Sequence, residues 1–234
     1  MQVHRVWLTV AIAAAQFSTG LARAAPKADN EAQLAKAWAE LHPGEEAPPP
    51  CEHKDPVRSV TGKVDQAPGK EHVVASRRYG VVLLSAAGHP LAWAAIGCGD
   101  IRYADERQYP AVEEIRLLRA SGLAPNDILL RTSDLGHCGA GGEYVLLRRE
   151  GKQLLPLAQI PAFLDVMCGG NPGEKWNVRI EVPSIGVLRA TTDGSFRKGN
   201  FDSPSPWEPI HRIAIYRLVG NKFEDSETRN APQH

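Results

Sequence analysis

The strongest constraint on this chain is a hairpin pattern that it states three times. Val81-Val82-Leu83-Leu84 is followed by Gly88 and Leu91, Tyr144-Val145-Leu146-Leu147 by Gly151 and Leu154, and Ile213-Ala214-Ile215-Tyr216 by Gly220 and Phe223. In each copy a β-rich run meets a glycine turn and then another apolar position. That is what a hairpin requires, because glycine supplies the positive φ of a tight reversal. The pattern extends backward. Glu71 to Val74, Asp127 to Asp134 and Gly186 to Asp193 precede the three hairpins, and Val57 to Val64, Glu113 to Arg119 and Asn177 to Val182 precede those. The spacing predicts an all-β fold with minor helix: about twelve antiparallel strands in three four-stranded meanders, arranged as a propeller-like stack, a sandwich or a barrel.

Alternating up and down strands sort the connections into two ends. Short turns such as Glu150-Gly151-Lys152 and Val219-Gly220-Asn221 fall at one end. The approach holding Cys51, the connections holding Cys98 and Cys168, the glycine-rich loop holding Cys138 and the long loop from Gly194 to Pro209 fall at the other. Long loops on a rigid scaffold carry binding residues disproportionately, so the second end is the expected functional end.

Two stretches set local propensity against the repeat. Pro110 to Ala120 is rich in helix formers, but the repeat favours a strand there. Ile160 to Gly169, with Pro161 at its entry and Gly169 at its exit, reads as one or two helical turns. A short N-terminal helix is expected from Asp29 or Asn30, with Leu34, Trp38 and Leu41 at helical spacing and His42-Pro43-Gly44 as its stop.

The segment Arg119 to Leu130 followed by a hairpin resembles the FG-GAP or VCBS-type repeats over about 45 residues. The resemblance implies propeller blades and, in the acidic form of those repeats, calcium loops. Here Arg119, Ser121 and Leu123 stand where aspartates would, and only Gly122 and Asp127 are kept. A hard cation needs several oxygen ligands, so no metal and no cofactor is expected.

The beginning of the chain reads as a secretory signal: His4 and Arg5, an apolar run from Val6 to Phe17, then Ala22-Arg23-Ala24. Division into a signal at 1–24, a helix and proline-rich linker at 25–50, a β-rich domain at 51–224 and a flexible polar tail at 225–234 follows. No later segment has the length of a membrane-spanning helix. The expected location is periplasmic or secreted. There Cys51, Cys98, Cys138 and Cys168 would pair as two disulfides, with three pairings open. Removing residues 1–24 takes away Arg5 and Arg23 and no acid from a chain of 27 basic and 27 acidic residues. The near-neutral remainder has no nucleic-acid footprint.

Two clusters could carry function. Asp134, His137 and Cys138 are an acid, a base and a nucleophile within a few residues, although an oxidising compartment turns Cys138 toward a disulfide. Phe196, Arg197, Phe201 and Trp207 place aromatics among cations on the long loop, the composition of a binding hot spot. The expected function is therefore non-catalytic binding of an envelope or extracellular ligand. The alternatives are an envelope hydrolase using Asp134, His137 and Asp193, or a structural envelope component.

Overall fold

The computed structural model describes residues 27–48, 57–95, 111–136, 139–166, 173–200 and 203–230. It opens with a helix, α1 (Lys27–Leu41), that starts slightly before the expected cap and ends ahead of Gly44, whose φ is 87°. The first meander follows as β1 (Arg58–Gly62), β2 (Glu71–Ser76), β3 (Gly80–Leu84) and β4 (Pro90–Ala94). The second is β5 (Ala111–Leu118), β6 (Asp127–Gly136), β7 (Gly139–Glu150) and β8 (Gln153–Val166). The third starts with β9 (Glu174–Ser184) and β10 (Val187–Phe196). A two-stranded ribbon, β11 (Gly199–Asn200) and β12 (Ser203–Pro204), interrupts it before β13 (Glu208–Val219) and β14 (Lys222–Asn230). The twelve principal strands form one mixed sheet that does not close into a barrel.

Side-chain direction alternates along the strands and divides the apolar residues among three cores. Leu34, Ala37 and Trp38 of α1 pack on Val74, Val82 and Leu84. The opposite face of the same strands, with Val73, Ala75, Val81 and Leu83, packs on Ile128, Leu130, Val145 and Leu147 of the second meander. The other face of that meander, with Leu129, Tyr144 and Leu146, packs on Val178, Ile180, Leu188 and Ala190 of the third. The molecule is thus four layers deep: helix, sheet, sheet, sheet. The middle meander has an apolar side toward each neighbour, which explains its near-continuous hydrophobic runs.

Strand β8 joins the layers. It pairs with β7 along its whole length, with β9 from Phe163 to Val166, and with β4 through one parallel bridge between Gln153 and Trp93. The helical turns expected at Ile160 are therefore strand through Val166; partners on both sides override local propensity. Its prolines sit where the ladder is already broken. Register shifts leave Leu157 and Ala162 as extra residues in β8, each directly after a proline, and bulges are where a strand tolerates proline. The ambiguous stretch after Pro110 is strand β5, as the repeat requires. The polar tail expected from Asp225 is instead strand to Asn230, an edge strand whose polar side chains meet solvent.

The glycine-rich stretch also differs from expectation. Gly139, Gly141 and Gly142 lie in β7, not in a loop: Gly139 and Gly141 pair with both β6 and β8, and Gly142 pairs with Phe163 of β8. A Cβ on Gly142 would stand 2.1 Å from the Thr132 carbonyl oxygen and 2.4 Å from the Phe163 ring, so the glycine lets neighbouring strands approach.

Candidate binding site

The loop between β10 and β13 is built by hydrogen bonds as a small ribbon. The Lys198 amide donates to Ser205 Oγ at 2.8 Å, the Ser205 hydroxyl and amide both donate to the Lys198 carbonyl at 2.8 Å, and Gly199 pairs with Pro204. Below it, Phe196 is paired with Glu174 on one side and Glu208 on the other. The Arg197 amide donates to the Gly173 carbonyl at 3.1 Å, tying the loop to the segment that enters β9.

This framework brings two of the four sequence-predicted binding residues, Arg197 and Trp207, together and sets Phe196 beside Lys198. The Arg197 guanidinium lies 5.0 Å from the centre of the Trp207 ring, and Lys198 Nζ lies 5.4 Å from the centre of the Phe196 ring. Trp207 keeps 44% of its surface exposed, whereas Phe196 is half-buried. The edge of the Trp207 ring rests on Gly173, where a Cβ would stand 2.9 Å from Cη2. The indole is held at its edge and beside a cation while much of it remains in water. Phe201 lies outside the described residues.

The other predicted residues are distributed along the same end. Successive register partners run Asp134, Gly141, Leu164, Trp176, Gly194 and Ile210 from β6 to β13. Asp134 is thus five strand spacings from the strand that follows Trp207, roughly 24 Å along the sheet. The two clusters share an end of the molecule. His137, Cys51, Cys98, Cys138 and Cys168 lie outside the described residues.

Asp193 has a partner that sequence spacing did not reveal. It faces His211 across the β10–β13 ladder, with His211 Nδ1 at 2.5 Å from its Oδ1 and Arg179 Nη2 at 3.1 Å from its Oδ2. The hydrogen bond to His211, reinforced by the charges of His211 and Arg179, holds the Asp193 carboxyl below its ordinary range. The pair lies on the open face of the third sheet, and no hydroxyl or thiol bonds to His211 among the described residues. It is a hydrogen-bonded pair, joined by Arg179, in a solvated ladder that also contains Arg189 with Glu181.

Comparison with protein-family models, with curated proteins and with solved structures finds no match.

Proposed function

We propose that the protein is a secreted or periplasmic, disulfide-stabilised binding protein that performs no catalysis and takes its ligand at the end carrying Trp207. The observation that carries this reading is Trp207 itself, a large aromatic left in solvent yet fixed by Arg197 and Gly173 on a loop closed by its own hydrogen bonds. Fixing the loop before binding lowers the entropy that association must overcome. Trp and Arg are also the side chains that most often dominate interface energetics. A ligand suited to this patch has a flat or ring-shaped apolar face beside a negative charge, the first for the indole and the second for Arg197.

Peptide mass mapping of the oxidised protein should return two bridges among Cys51, Cys98, Cys138 and Cys168.

Binding is tested with a panel of acidic and neutral oligosaccharides and acidic and neutral peptides. The expected result is an anionic member whose affinity falls at least about tenfold in Trp207→Ala, with unfolding unchanged. Affinity unaltered by Trp207→Ala and Arg197→Ala for every bound member would refute the reading.

A further inference from the structure

Three large aliphatic side chains stand in water at the opposite end. Leu123, Ile185 and Val219 are 57%, 54% and 55% exposed. Single exposed aliphatics are ordinary, but these converge on one place. Ile185 lies against Gly122, where a Cβ would be 2.4 Å from Ile185 Cγ2, and Leu123 is the next residue. The Gly186 amide donates to the Ala120 carbonyl at 2.7 Å, and the Leu218 amide donates to the Gly186 carbonyl at 2.9 Å. The Ile185–Gly186 turn is therefore clamped between the Ala120–Leu123 loop and the strand end at Leu218 and Val219.

Cations surround the patch. Arg119, Arg217 and Lys222 are all exposed and form no ion pair among the described residues, while one acid, Glu224, registers across from Arg217. Aliphatic tips ringed by unneutralised cations match the boundary of an anionic bilayer, where apolar groups enter the acyl region and cations meet the headgroups. A second copy of the chain is a poor occupant, because a two-fold contact would set these cations against themselves.

We propose that this end is a membrane-contact surface for anionic lipid. Strand β10 runs from the Ile185–Gly186 turn to Phe196, and its length would hold the Trp207 loop about 30 Å from the headgroups. The surface is separate from the ligand site and does not depend on it.

The test is cosedimentation of the chain begun at Ala25, which retains every described residue, with vesicles of phosphatidylcholine alone or mixed with phosphatidylglycerol. The expected result is binding to the anionic vesicles that is at least about tenfold stronger than to the neutral ones and that weakens as salt is raised. The combined change Leu123→Ser, Ile185→Ser and Val219→Ser should reduce it at least about tenfold, as should Arg119→Gln, Arg217→Gln and Lys222→Gln, which leaves the aliphatic packing intact. Three outcomes would overturn the proposal: no binding to anionic vesicles, binding by both combined variants equal to that of the unaltered chain, or self-association that the serine changes abolish.

Discussion

Asp127 is fully buried at the first position of β6, and its carboxylate accepts the amides of Ala120 and Ser121 at 3.2 and 2.7 Å and the Ser121 hydroxyl at 2.9 Å. Glu71 does the same work at the first position of β2, where it accepts the Val64 amide at 2.7 Å, again from seven residues back. Two meanders thus close their first loop with one buried carboxylate. Asp127→Ala would leave three donors unpaired, and a loss of about 3 kcal/mol in urea unfolding is expected, with a smaller loss for Asp127→Asn. The two shifted aspartates act oppositely with pH. Burial, opposed by its hydrogen bonds, raises Asp127 above 3.8, so its contribution is full below that pH and declines as pH rises through the raised value. Asp193 is lowered, so its contribution is present above 3.8 and lost as pH falls through the lowered value. Asp193→Asn should therefore flatten the fall in melting temperature below about pH 4, by a modest amount because the pair is exposed. The clasps were hidden in the sequence because an acid opening a strand looks like an ordinary polar boundary, and nothing local shows that it turns inward.

At the scale of elements, the hairpins were legible because each combines alternation with a glycine turn, and all twelve principal strands lie where that pattern places them. The errors arose where partners outside the local window decide. Ile160 to Val166 opens with the proline entry of a helix, yet it runs along β7 and, from Phe163 onward, is also paired with β9. The glycines of β7 resemble a loop because close strand approach and backbone reversal both select glycine. The difference is measurable. Gly142→Ala should cost at least about 2 kcal/mol, since its Cβ would strike the Thr132 backbone oxygen, whereas Gly141→Ala meets nothing nearer than 3.8 Å and should be nearly neutral. Equal effects of the two changes would show that the stretch is not strand-paired in solution. In β14, Asp225 accepts the Glu227 amide and the Thr228 hydroxyl beside a register shift. A charged, bulged edge of this kind resists pairing with another chain.

For the whole molecule, stacking three meanders gives two dissimilar ends. At one, the loops of adjacent layers are bonded to each other: Asn126 donates to the Lys63 carbonyl, and Arg149 pairs with Asp65. At the other, the described chain includes the β11–β12 ribbon and the exposed Trp207. That the ends would differ was readable from loop lengths alone. The layer order was not, because it depends on which face of each strand is inward for two neighbours at once. The nearness of Arg197 to Trp207 could be read as composition, but the support from Gly173 and Ser205 could not. The most direct test replaces Trp207 with a photo-crosslinking benzoylphenylalanine in cells, with the same replacement at Arg179 on the solvated face as control. A discrete crosslinked product from position 207 and none from position 179 is the predicted result. Its absence at 207, or the same product from both positions, would contradict a binding site at this end.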